Sequence, residues 1–201
     1  VIKRRDAADI GDFFDHVLGG SDSDRSIALL CGALLDDDLS KIIKNELNSD
    51  THNLLRGALR SFGARIDLAY GLNWIDRNSY HDLIIIKDIR NAFAHFTDHQ
   101  LTFDDQEVAQ SCKKLFSSSA FLAEYERLYG RGYGGFTPQG TRAMKRRFET
   151  PAGRFKISTG LVHDHLCAVL TNGAGSQKTK PVERCALEFA NTLKMKVGPV
   201  T

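Results

Sequence analysis

Apolar residues recur at intervals of three and four through most of this chain, and that spacing is the strongest constraint on its fold. The longest example runs from Ser23 to Asn48 and includes Leu30, Leu35 and Ile42. Residues three and four apart share one face of an α-helix, whereas a half-buried strand alternates every second residue. Because no sustained two-residue alternation occurs before residue 130, we predict an all-α helical bundle, followed by a basic C-terminal extension.

Further helices follow from the same spacing. We predict one over residues 55–72, a second that starts at cap candidates in 76–79 and ends near His95, and a third that opens at a capping box formed by Thr102 and Asp105. A helical stretch at 121–129, a short extended segment at 153–158 and a terminal helix over 181–193 complete the expected elements.

Charge divides the chain unevenly. Residues 1–130 contain 15 Lys and Arg against 21 Asp and Glu, whereas residues 131–201 contain 12 against 4. A Gly-rich stretch at 130–138 separates the two parts. We therefore predict a helical body over 1–129, a linker over 130–140 and a basic extension over 141–201. The alternative is a surface loop inside one compact unit.

Composition restricts the class of protein. The longest strongly apolar run, Leu83–Ile86, is far short of the roughly 18 residues of a membrane span. The four cysteines, Cys31, Cys112, Cys167 and Cys185, form no close pair, which argues against a zinc knuckle or a disulfide framework. Nothing at the start resembles a signal peptide. We expect a soluble, cytoplasmic protein with no metal centre and no cofactor.

The segment from Lys87 to Phe96 combines a polar stripe with a hydrophobic helix. Lys87, Asn91 and His95 recur every four residues and share one face. Arg90 and His95 would point about 140° apart on a straight helix, at about 100° per residue. They would therefore converge only at a frayed helix end or across a dimer interface, and we expect a homodimer.

Several ordered blocks of the sequence resemble the mannitol operon repressor family. The blocks cover about residues 20–118 and comprise Arg25–Leu30, Ser61–Leu72, Ile75–Leu83 and Ile89–His95. The resemblance implies an all-helical regulator without a recognisable helix-turn-helix, acting through protein partners or nucleic acid. It does not imply mannitol as the effector.

The series Arg90-Asn91-Ala92-Phe93-Ala94-His95 is also similar to the Arg-x4-6-His signature of HEPN domains. Many of those domains are metal-independent ribonucleases in which a helical dimer brings two motifs together. The resemblance implies Arg90, Asn91 and His95 as candidate catalytic residues. Histidine can move the protons of RNA cleavage, and an Arg fork can stabilise the charge on the phosphorane.

A structural role is the competing interpretation of the same motif. A His in the last helical turn commonly caps carbonyl groups, and an Arg one turn earlier commonly pairs with an acid. Asp88 and Asp105 are the candidate partners for Arg90. The sequence alone does not decide between these roles. We expect a regulatory protein that resembles the mannitol operon repressor, with a metal-independent HEPN-type endoribonuclease as the alternative.

Basic residues cluster after the Gly-rich stretch, interleaved with Phe148 and Phe155. Such a patch either tracks the phosphates of RNA or DNA or docks on the acidic body. The candidate nucleic-acid-binding residues are Arg142, Lys145, Arg146, Arg147, Arg154 and Lys156.

Two further polar clusters are predicted to be structural. His163 and His165 lack a third convergent ligand in the sequence, so we interpret them as part of a loop or helix start. The run Asp36–Asp38 fans around a helix, which predicts a solvated face rather than a metal site.

Overall fold

The computed structural model describes residues 23–47, 51–95, 101–129 and 138–173, and these contain helices and no strand. The all-α prediction is confirmed. The helices of the described part are α1 (Asp24–Glu46), α2 (Thr51–Arg56), α3 (Phe62–Gly71), α4 (Arg77–His95), α5 (Gln106–Lys113), α6 (Phe116–Tyr129), α7 (Pro138–Glu149) and α8 (Pro151–Asn172).

The core lies between α1, α4 and α8. Helix α1 makes its most extensive contacts with α8 and then with α4, and α8 also packs against α5, α6 and α7. One apolar cluster includes Leu35 of α1, Ile86 of α4 and Leu166 of α8. Residues from both sides of the 130–137 stretch therefore share a single core.

A second, smaller aromatic cluster joins α6 to α7. The ring of Phe148 meets those of Phe121 and Tyr125 nearly edge-on, with centroids 5.3 and 5.7 Å away. Edge-to-face contacts of this kind are favourable between buried aromatic rings. They hold α7, which carries much of the basic patch, against α6.

Helix starts follow local capping chemistry. The Ser23 side chain accepts from the backbone N–H of Ser26, and Asp76 accepts from Ser79, as the cap candidates predicted. Ser61 caps α3 and divides the predicted 55–72 helix in two. Thr102 and Asp105 do bond to each other, but α5 begins after Asp105 rather than after Thr102.

The expected extended segment at 153–158 is wrong, because these residues form the first turns of α8. Thr150 caps this helix by accepting from the N–H of Gly153, and Pro151 occupies the first turn. A methyl group on Gly153 would lie 2.3 Å from the carbonyl oxygen of Arg147. Glycine therefore permits the tight junction between α7 and α8.

The N-terminus of α6 is capped by a residue of another helix. Both carboxylate oxygens of buried Asp82, in α4, accept backbone N–H groups at its start, from Phe116 at 2.7 Å and Ser117 at 2.8 Å. The next N–H, that of Ser118, donates to Ser158 of α8. Side chains from two other helices, α4 and α8, thus fix the start of α6.

The Gly-rich stretch at 130–137 and the terminal helix expected at 181–193 lie outside the described residues. None of the described helices combines the length and hydropathy needed to cross a bilayer.

Candidate functional site

Arg90 lies in the groove between α4 and α1. Its aliphatic stem passes over Gly32, where a methyl group would come within 2.6 Å of the Arg90 Cγ atom. Its guanidinium donates to the side-chain oxygen of Asn91 at 3.0 Å. Glycine at position 32 thus provides the space for the Arg90 stem, and Asn91 orients its charged end.

The acids expected to neutralise Arg90 bond to other groups. Asp88 pairs with Lys87 at 3.0 Å, and Asp105 accepts from Thr102. Arg90 forms no ion pair with any residue of the described ranges. The expectation that Asp88 or Asp105 pairs with it is therefore wrong, and its partner is a neutral amide.

His95 is the last residue of α4 and is exposed. The carbonyl of its neighbour Ala94 accepts from Arg25 of α1 at 3.3 Å, so Arg25 binds one of the terminal carbonyls of α4. Helix α4 continues without interruption from Arg90 to His95, a rise of about 7.5 Å with the two side chains roughly 140° apart. One chain therefore does not bring Arg90 and His95 together.

Some residues of the basic patch contact the neighbouring helix α6, and others are exposed to solvent. Lys145 contacts Glu126 of α6 at 3.0 Å and Glu149 at 3.7 Å, and Arg154 donates to Ser119 at 3.3 Å. Arg142 and Arg146 are exposed, as is Arg147, whereas Lys156 is partly buried. Phe148 and Phe155 are buried among other aromatic rings, which leaves neither of them free to stack on a base.

A buried charged cluster between α1 and α8 was missed by the sequence analysis. His163 Nδ1 lies 2.5 Å from the Asp38 carboxylate, and the Cys167 thiol is 3.7 Å from His163 Nε2. Asp38 is 1% exposed, so the prediction of a solvated face is wrong at this residue. His163 and His165 are buried in the middle of α8 rather than in a loop or helix start.

The Asp38 carboxylate determines the protonation of His163. Burial is the largest single influence and would lower the pKa of this imidazole, but the contacts with Asp38 and, to a smaller extent, Cys167 together outweigh burial and raise the pKa from 6.5 to about 10. Lys41 Nζ also approaches the other Asp38 oxygen at 3.5 Å. His163 is therefore an imidazolium near neutral pH.

Two signals in the sequence could have revealed the buried partner of Asp38 and the close contact between Gly32 and Arg90. Asp38 falls three residues after Leu35 and four before Ile42, on the apolar face of its helix, where a carboxylate needs a partner. Gly32 is an isolated glycine within a helical pattern, which often marks the close approach of another element.

Among the residues that the structure describes, no group of three or more His, Cys, Asp or Glu side chains has an arrangement that could hold a metal ion. No family model, no curated protein and no solved structure matches this chain.

Proposed function

We propose that this chain is a metal-independent endoribonuclease of the HEPN type, with Arg90 stabilising phosphorane charge, His95 transferring protons and Asn91 orienting Arg90. The supporting observation is the half-buried Arg90 guanidinium, whose partner is the neutral amide of Asn91. Its positive charge is thus not cancelled by a carboxylate of the described residues. Such a guanidinium is suited to a phosphate oxygen.

A dimer is part of this proposal. Because Arg90 and His95 diverge on an uninterrupted helix, a shared catalytic site requires a second copy of α4 beside the first. His95 is exposed and accessible to that copy. In the proposed reaction its imidazole takes the proton of the 2′-hydroxyl or donates a proton to the 5′ leaving oxygen.

The test is incubation with a defined RNA in EDTA. We expect cleavage to persist and to leave a 2′,3′-cyclic phosphate, since the nucleophile is the adjacent 2′-hydroxyl and no metal takes part. Arg90→Ala and His95→Ala should each lower the rate by roughly two orders of magnitude. Arg56→Ala, which removes an exposed cation from α2, serves as the control. An unchanged rate in both α4 variants would refute the proposal.

The second candidate is a regulator of the mannitol operon repressor type that binds without cleaving. It is favoured by exposed large apolar side chains in the described part, including Leu30 at 53% and Leu72 at 45%. Such side chains are suited to protein contacts. If Leu30→Glu and Leu72→Glu abolish self-association or partner binding while RNA stays intact with the parent protein, this candidate replaces the first.

A further inference from the structure

A cavity of about 360 Å³ opens where the start of α4 meets the junction between α5 and α6. Its walls come from two short stretches of chain, residues 77–81 at the start of α4 and residues 114–119, which include the first turn of α6. The lining residues are Arg77, Asn78, His81, Lys114, Leu115, Phe116 and Ser119.

The charged residues that line this cavity are basic. Arg77 and Lys114 are permanent cations, and neither forms an ion pair with any residue that the structure describes. Arg154, which is not itself a lining residue, donates to the lining residue Ser119 at 3.3 Å. None of the lining residues is acidic.

One carboxylate, that of Asp82, lies close to the lining residues of the cavity without being one of them. The side chain of Asp82 is 3.7 Å from His81 Nδ1, but both its oxygens accept backbone N–H groups of Phe116 and Ser117. Asp82 is fully buried, whereas Arg77 and Lys114 are exposed. The two cations therefore line the cavity and remain accessible to an anion from solvent.

The number of cations favours a phosphate monoester over a carboxylate. A monoester carries a charge of about −1.5 to −2 near pH 7, which two permanent cations can match, whereas a carboxylate carries only one charge. An Arg fork also binds phosphate through two parallel hydrogen bonds. Leu115 and Phe116 supply an apolar wall beside these groups, and the volume is that of a small-molecule site.

We propose that this cavity binds the terminal phosphate of a nucleotide, either a free mononucleotide or the phosphorylated end of an RNA strand. On α4, His81 and His95 are separated by roughly 21 Å of helix rise. The cavity is thus distinct from the Arg90–His95 motif, and the inference does not depend on nuclease activity.

The first experiment titrates the full chain with AMP, adenosine and inorganic phosphate by calorimetry at low salt. AMP should bind about tenfold more tightly than adenosine, because the phosphate supplies the charged contacts. Arg77→Gln and Lys114→Gln should each weaken AMP binding about fivefold or more. Lys113→Gln removes an exposed cation next to Lys114, outside the cavity, and should leave binding unchanged.

The second experiment distinguishes the two sources of the phosphate. An oligoribonucleotide with a 5′-phosphate is compared with its 5′-hydroxyl form in the Arg90→Ala background, where the proposed cleavage would be suppressed. A phosphate preference that disappears in Arg77→Gln and Lys114→Gln assigns the cavity to RNA ends. AMP binding without that preference assigns it to free nucleotides. If neither probe depends on Arg77 and Lys114 more than on Lys113, the inference is overturned.

Discussion

Asp38 and His163, 125 residues apart in the chain, meet at 2.5 Å between α1 and α8 and form a buried ion pair. Each charge compensates the other where water is excluded, so removing one partner leaves the other uncompensated. The contact spans the most extensive helix pairing of the bundle. The stability of the fold therefore depends on the protonation of one histidine.

The sign of this dependence follows from the raised pKa. His163 binds its proton more tightly in the folded chain, where its pKa is about 10, than at its ordinary value of 6.5. The stabilisation is therefore complete below pH 6.5 and is lost as the pH rises through 10. We predict that Asp38→Asn costs about 3 kcal/mol at pH 6 and that the difference from the parent protein narrows toward pH 10.

Urea unfolding at several pH values measures this difference. Asp37→Asn is the matched control, because Asp37 is exposed and contacts Lys41 on the surface, where an ion pair contributes about 1 kcal/mol or less. An equal loss at pH 6 and pH 10 in Asp38→Asn would show that the charge of His163 does not contribute.

The capping of α6 by Asp82 leads to a second prediction. Asp82→Ala would remove the acceptor of two backbone N–H groups, one of them in buried Ser117, at a cost of roughly 2 kcal/mol or more. Asp82→Asn should cost less, because the amide retains one acceptor oxygen. Asp88→Ala, an exposed acid of the same helix, should change the free energy of unfolding by less than about 0.5 kcal/mol. Equal effects of Asp82→Ala and Asp88→Ala would contradict the capping role.

The contact between Gly32 and Arg90 gives a third prediction. Gly32→Ala would place its methyl group 2.6 Å from the Arg90 Cγ atom, so the Arg90 stem must move. We expect a net loss of about 1 kcal/mol and a fall in any RNA cleavage that depends on Arg90. Gly63→Ala is the control, because its methyl group would meet Lys87 Cδ at an ordinary 3.6 Å and should stabilise α3.

A double-mutant cycle tests the cause of that loss. In an Arg90→Ala background the side chain that the new methyl group would meet is absent, so Gly32→Ala should no longer be destabilising. The losses in free energy of unfolding for Gly32→Ala and Arg90→Ala should therefore be non-additive. Additive losses in thermal unfolding would place the strain of Gly32→Ala elsewhere.

The fold could be predicted from the sequence because helical periodicity is a local property. The spacing of residues such as Leu35, Ile42 and Ile86 defines helices without knowledge of their neighbours. The points at which helices begin and end were less predictable. The cap at Ser61 and the start of α8 at Thr150-Pro151 are short polar signals within a continuous apolar pattern.

Contacts between distant residues could not be predicted in this way. Nothing near Asp38 in the chain indicates His163, and nothing near Asp82 indicates the start of α6. The resemblance to the HEPN signature singled out Arg90, Asn91 and His95, but the surroundings of Arg90 depend on Gly32 in another helix. Tertiary packing determines these environments.

The basic patch gives a fourth prediction. Lys145 is held by Glu126, whereas Arg142 and Arg146 are exposed. If the patch binds RNA or DNA, Arg142→Gln with Arg146→Gln should weaken binding without sequence preference and reduce the slope of log K against log salt by about 2. Lys145→Gln should have a smaller effect. Fluorescence anisotropy across a salt series measures both, and an unchanged slope in the double variant would assign the exposed cations another role.

The proposed two-chain site gives the last prediction. If Arg90 of one chain acts with His95 of its partner, a dimer of one Arg90→Ala chain and one His95→Ala chain retains one complete site. Random mixing after mild dissociation should then restore about a quarter of the parent activity, because half of the dimers are mixed and each has one of two sites. Mixing Arg90→Ala with an Arg90→Ala, His95→Ala double variant restores no site and is the control. Recovery in the first mixture alone would establish a composite site, whereas its absence despite confirmed subunit exchange would exclude one.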